Sequence, residues 1–146
     1  MKNIKYGFGK SVNYGFEEAI EKVTEELKKE GFGVLADLDF KSILKMKLDV
    51  DFKPYRVLAA CNPPNAYKAL QAEEQLGLLL PCNVLVYVND NSEIIVSAID
   101  PVASMGVVNN DTVKEVAGII QVKLKNVISN MWSIVFENED SELVQL

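Results

Sequence analysis

Two apolar runs separated by a polar turn constrain the fold of this chain most strongly. Residues 84–88 and 93–99 are rich in valine and isoleucine, and the Asn/Asp/Ser cluster at 89–92 lies between them. β-branched runs on either side of such a cluster are typical of a β-hairpin. The hairpin requires a sheet, and the helical patterns elsewhere must pack on that sheet to bury their apolar faces.

Strand and helix patterns alternate along the rest of the chain. Residues 4–12, 32–38 and 55–61 predict strands, and the run at 55–61 is typical of a strand that is buried on both faces. Helices are indicated by apolar residues at helical spacing and by end signals. These signals are Gly31 after the first helix, Asp39 before a short one, Asn62-Pro63 before the third, and the capping box Thr112/Glu115 before the last.

The predicted order is β-α-β-(α)-β-α-β-β-α. It indicates an α+β fold, a single-layer mixed sheet of about five strands with helices packed on it. No linker or repeat interrupts residues 1–146, so one domain is expected, with a C-terminal helix extension and an acidic tail at 137–140. The apolar stripe of the last helix runs from Val113 to Val135 and is widened by Ile119, Val122 and Trp132, which predicts a homodimer through this helix.

Composition excludes several classes of function. The net charge is −6, whereas a nucleic-acid-binding domain needs a basic face. No apolar run approaches the roughly 20 residues of a membrane span, and no apolar stretch follows the N-terminal lysines as in a signal peptide. A cytoplasmic location with reduced thiols is therefore expected, with no membrane or nucleic-acid partner.

The chain has two cysteines and no histidine. Without histidine, a Ser-His-Asp or Cys-His hydrolase is excluded, and two thiols are a poor set for a zinc ion that prefers four ligands. No metal and no cofactor are predicted. Because a strand, a helix and a second strand suggest a parallel pair, Cys61 at the end of the first strand and Cys82 at the start of the second are expected on the order of 20 Å apart.

The hairpin predicts a corner where a ligand could bind. With the turn centred on residues 90–91, Pro81 lies opposite Asp100 and Cys82 opposite Ile99. The parallel arrangement would bring Arg56 to the same edge, where its charge would lower the pKa of the Cys82 thiol, and the apolar 100–111 connection would form a lid. The candidate ligand-binding residues are Arg56, Pro81, Cys82, Asp100, Pro101 and Met105.

Three functional hypotheses follow. The preferred one is a homodimeric module that binds a small anionic or hydrophobic ligand at this corner. The second is a thiol-dependent enzyme or redox sensor that uses Cys82 or Cys61, because Cys61 precedes a helix N-terminus that would stabilise a thiolate. In the third, the chain has a purely structural or interaction role, both cysteines are small core residues and Asp100-Pro101 only ends a strand. The catalytic residues of any reaction stay unknown.

Several segments in this order resemble a known family. They are an initial aromatic/glycine strand, Glu30-Gly31-Phe32, Ala60-Cys61-Asn62-Pro63, the segment 77–84 (Gly-Leu-Leu-Leu-Pro-Cys-Asn-Val) and Ile99-Asp100-Pro101. The chain resembles domain of unknown function family 302 over about residues 5–130. The resemblance implies a small α+β domain and a homodimer, and it assigns no activity and no catalytic residue.

Overall fold

The computed structural model describes residues 1–136 and 143–145. The strands are β1 (Lys2–Ile4), β2 (Gly7–Val12), β3 (Gly33–Asp39), β4 (Tyr55–Cys61), β5 (Cys82–Val88), β6 (Ile94–Ile99), β7 (Ile134–Phe136) and β8 (Leu143–Gln145). The helices are α1 (Phe16–Lys29), α2 (Phe40–Leu48), α3 (Pro63–Ala72), α4 (Pro101–Ser104) and α5 (Asp111–Ser129), and a 3₁₀ turn covers Glu74–Leu79.

One six-stranded sheet has the order β1-β2-β6-β5-β4-β3, and β7 pairs with β8 separately. The predicted α+β class with a single-layer sheet is confirmed. The sheet has six strands because residues 4–12 do not form one continuous strand. The chain turns at residues 5–6, so β1 pairs antiparallel with β2.

The predicted parallel pair is wrong, and the sheet is therefore not mixed. β4 and β5 are antiparallel, with Ala60 opposite Cys82, and the other pairings of this sheet are antiparallel too. α3 does not act as a crossover along the sheet, because α1 and α5 already pack on the strands there. α3 packs on α5 instead, and the 3₁₀ turn returns the chain to the end of the sheet that it left.

The core lies between one face of the sheet and the helices α1 and α5. The inward side chains of the four central strands are almost fully buried, among them Phe8, Leu58, Val84, Val86 and Val96. α1 contributes the predicted apolar stripe, of which Ala19, Ile20, Val23 and Leu27 are buried. This packing fixes the end of β4 and the start of β5 relative to α5, on which α3 packs.

The last helix differs from its prediction at both ends. Its N-cap is Asn110, whose side chain accepts a hydrogen bond from the Val113 N–H (3.1 Å), rather than Thr112. It ends at Ser129, so the predicted C-terminal helix extension is wrong and Val135 lies in β7. The acidic tail at 137–140 lies outside the described residues.

Packing within the chain explains the buried part of the α5 stripe. α5 contacts α1, α3, α4 and two strands, so its apolar residues face several elements at once. Of the two residues that widen the stripe within the helix, Ile119 is 38% exposed and Val122 is 58% exposed. Within the described residues, no helix has the length and apolar character to cross a bilayer.

Candidate functional site

An apolar cavity of about 220 Å³ opens where the end of β4 and the start of β5 meet α3 and α5. The sheet supplies Ala60 and Cys82. α3 and α5 supply further lining residues, and Met105, which follows α4, also lines the cavity. The remaining lining residues are Leu35, Cys61, Asn62, Ala66, Ala69, Leu70, Leu80, Pro81, Val116 and Ile120. None of these residues is an aspartate, a glutamate, a lysine or an arginine.

Asn62 is the polar residue in this lining, and both its Nδ2 and its Oδ1 form hydrogen bonds within the chain. Its Nδ2 donates to the Glu30 carbonyl (3.1 Å), while its Oδ1 accepts from the Asn65 backbone N–H (3.4 Å) and from Asn65 Nδ2 (2.9 Å). It therefore caps α3, as predicted, and ties that helix to the end of α1. Gly31 permits this contact, because its φ is +84° and a Cβ there would lie 3.1 Å from Asn62 Nδ2.

Both cysteines line this cavity, which corrects the expected 20 Å separation. The antiparallel pairing is the reason, since the end of β4 and the start of β5 lie at the same end of the sheet. Cys82 is 6% exposed, and burial, with a smaller effect from Cys61, raises the pKa of its thiol to about 11. Cys82 is therefore a neutral thiol at pH 7.

Three of the six candidate ligand-binding residues meet at the cavity: Pro81, Cys82 and Met105. Asp100 and Pro101 do not line it. The Asp100 carboxylate caps α4 by accepting from the Val102 N–H (3.0 Å) and also accepts from Gln121 Nε2 (3.0 Å), while Pro101 is buried in the first turn. The hairpin register is one residue from the prediction, with Val84 opposite Ala98.

Arg56 lies at the other end of the sheet, so its predicted position beside Cys82 is wrong. In the antiparallel pair, Arg56 is opposite Val86, near the end of β5. Its guanidinium donates two hydrogen bonds to the Asp37 carboxylate (2.8 and 2.7 Å) and one to Glu17 (3.3 Å). These carboxylates raise the pKa of Arg56. The expected anion partner of a ligand is absent from the cavity.

The α3 wall is one part of the site that sequence analysis did not identify, and Leu35, Leu80, Val116 and Ile120 are further lining residues outside the candidate set. Ala66, Ala69 and Leu70 follow the i, i+3, i+4 spacing of one helix face, and that face lines the cavity. The spacing was a usable signal. It did not indicate whether the face would meet the sheet, another helix or an open space.

Sulfur provides the soft donors of the cavity. Within residues 1–136 and 143–145, no group of three or more His, Cys, Asp or Glu side chains is placed to hold a metal ion. The sulfur-bearing residues at the cavity are Cys61, Cys82 and Met105.

Two comparisons with known proteins relate this chain to the same family. The family model described as "Domain of unknown function DUF302" matches residues 8–131. The crystal structure of an uncharacterized conserved DUF302 protein from Bacillus stearothermophilus is 32% identical to this chain, with a TM-score of 0.78, and the match covers 84% of this chain and 94% of that one. No curated protein matches the chain.

Proposed function

Because this chain belongs to the DUF302 family of domains of unknown function, we propose a function from its own cavity: it is a small-ligand-binding module that takes an uncharged, apolar molecule. The observation that carries the proposal is the apolar cavity bounded by Cys82, Met105, α3 and α5. A concave apolar pocket with few polar groups is the usual form of a small-molecule site.

The size and chemistry of the cavity favour an apolar ligand over an anionic one. An engineered apolar cavity of about 150 Å³ binds benzene, and the cavity here, at about 220 Å³, is of similar scale. An anion buried here would lose its hydration without gaining a positively charged partner, because Arg56 is bound to Asp37 at the other end of the sheet. Of the two ligand classes that the sequence suggested, the hydrophobic ligand is therefore favoured and the anionic ligand is not.

Toluene is expected to bind the protein, and filling the cavity should abolish binding. Ala66 is a partly buried lining residue on α3, so Ala66→Phe places a ring in the space that the ligand would occupy. Saturation-transfer NMR of toluene measures binding. The control is Tyr67→Phe, at a neighbouring position of α3 that is 68% exposed and does not line the cavity. Equal toluene signals from the folded Ala66→Phe and Tyr67→Phe variants would contradict the proposal.

The thiol-dependent alternative loses support at Cys82. Nucleophilic cysteines are usually thiolates in electropositive, partly exposed surroundings. Cys82 is instead buried, and its pKa is raised to about 11. At Cys82, the ligand-binding hypothesis therefore has more support than the thiol-dependent one.

We propose further that this module is a homodimer, the arrangement that the apolar stripe of the last helix predicts. Ile119 and Val122 are the exposed part of the apolar stripe on α5 and would form the contact. Light scattering is expected to give twice the chain mass of 16.2 kDa, and Val122→Lys is expected to shift that mass toward the monomer. A monomer mass for the unmodified protein at high concentration would reject the dimer.

A further inference from the structure

The cavity opens to solvent at the edge of the sheet. Ala60, Ala69 and Cys82 in its lining are almost fully buried. Leu35 and Leu70, which also line it, are 67% and 40% exposed. The buried residues therefore mark the closed part of the cavity, and the two leucines mark its mouth. Leu35 belongs to β3, the last strand in the sheet order, and Leu70 belongs to α3.

A β-bulge supplies Leu35 to the mouth. Val34 lies opposite Ala60, and Ala36 lies opposite the neighbouring residue of β4, Ala59. Leu35 lies between Val34 and Ala36, so it is the extra residue of the bulge. Such an insertion commonly changes the direction of a side chain next to a functional site. Here it adds a leucine to the lining beside Ala60, and most of that leucine stays exposed to solvent.

The mouth offers apolar surface rather than a partner for a polar group. Pro81 is the other exposed residue of the lining, and none of the lining residues is acidic or basic. Asn62 is buried, and its Nδ2 and Oδ1 form hydrogen bonds within the chain. A ligand inside the cavity is therefore held by apolar contact, and a polar group on that ligand is more stable in the water beyond Leu35 and Leu70.

We propose that the ligand is a linear aliphatic chain, which enters the cavity by its apolar end and leaves a polar end group in solvent at the mouth. This inference rests on the proposed function and names the class of ligand. A compact apolar molecule in the closed part leaves Leu35 and Leu70 exposed, whereas a chain that also reaches the mouth covers apolar surface on both leucines. Leu70 is then a specificity-determining residue, because only a chain long enough to reach the mouth contacts it.

The affinity of straight-chain alcohols tests the proposal on the full chain. In saturation-transfer NMR titrations of n-butanol, n-hexanol and n-octanol, affinity is expected to rise about fourfold for each methylene that becomes buried, the equivalent of about 0.8 kcal/mol. Equal affinity across the series in a protein that binds toluene would overturn the linear chain and leave the proposed function intact. Tighter binding of cyclohexanol than of n-hexanol would also overturn it. A protein that binds neither toluene nor any alcohol would contradict the proposed function itself.

Leu70→Ser separates the mouth from the closed part of the cavity. It is expected to weaken n-octanol binding roughly four- to fifteenfold, the loss of one to two buried methylenes. It should leave n-butanol binding unchanged, because the shorter chain lies among the buried residues. Leu78→Ser is the matched control, since Leu78 is 82% exposed in the 3₁₀ turn and does not line the cavity. Circular dichroism confirms that each variant is folded. Equal n-octanol affinity in Leu70→Ser and Leu78→Ser, or an equal loss for both alcohols in Leu70→Ser, would overturn the chain that reaches the mouth.

Discussion

Leu124→Ala is expected to lower the free energy of unfolding by about 2–5 kcal/mol. Leu124 is fully buried on the face of α5 that packs into the core. Truncation removes apolar contacts and leaves a cavity that the surrounding helices and sheet fill only in part. Urea unfolding at two protein concentrations measures the loss, which should be the same at both because the lost contacts lie within one chain.

Val122→Ala is the matched control on the same helix. Val122 is 58% exposed, so its truncation is expected to change the free energy of unfolding by no more than about 0.5 kcal/mol in the monomer. A loss in Val122→Ala that depends on protein concentration would support the proposed dimer contact at this residue. If both variants lost the same free energy, the division of the α5 stripe into a buried and an exposed part would be wrong.

The features that sequence analysis predicted correctly are local ones. Asp39 caps α2 and Asn62 caps α3, and Gly31 ends α1 with a positive φ. Each of these depends on residues within one turn of helix, so the pattern contains the necessary information. The exception is Asn110, which caps α5 in place of Thr112 and also donates from its Nδ2 to the Ala72 carbonyl (3.0 Å). That second contact is distant in sequence and could not be read from the spacing.

Strand direction could not be predicted in the same way. A helix between two strands usually makes a parallel crossover, but α3 packs on α5 and the chain returns to the same end of the sheet. This single difference moved two candidate residues. It placed Cys61 and Cys82 at the same end of the sheet, and it placed Arg56 at the other end beside Asp37.

Sequence analysis identified only part of the candidate site, because part of it depends on local patterns and the rest on strand direction. Pro81, Cys82 and Met105 lie near the hairpin in sequence, and the hairpin itself was recognisable; the structure places all three in the lining of one cavity. Asp100 was predicted to be a ligand-binding carboxylate near Cys82. It serves as a helix cap instead, and short polar residues before a proline often have this role.

Raising the pH from 9 to 11 is expected to destabilise the protein through Cys82. The ordinary thiol pKa is 9.0, and burial raises the pKa of Cys82 to about 11 in the folded chain. Between these values the unfolded chain loses the thiol proton while the folded chain keeps it, so ionisation favours the unfolded state. The contribution is fully present below pH 9 and is lost by pH 11, and a difference of about two pH units corresponds to roughly 2–3 kcal/mol.

The Cys82→Ala variant isolates this effect from other groups that titrate at alkaline pH. Burial also raises the pKa of Tyr55 and lowers that of Lys10, so both residues contribute to the pH dependence of every variant. Urea unfolding under reducing conditions at pH 8, 9, 10 and 11 should show a smaller alkaline loss for Cys82→Ala than for the unmodified chain. Cys61→Ala retains the buried Cys82 thiol and should keep most of the loss. Parallel stability curves for the unmodified chain and Cys82→Ala would mean that the Cys82 thiol is not held protonated by its surroundings.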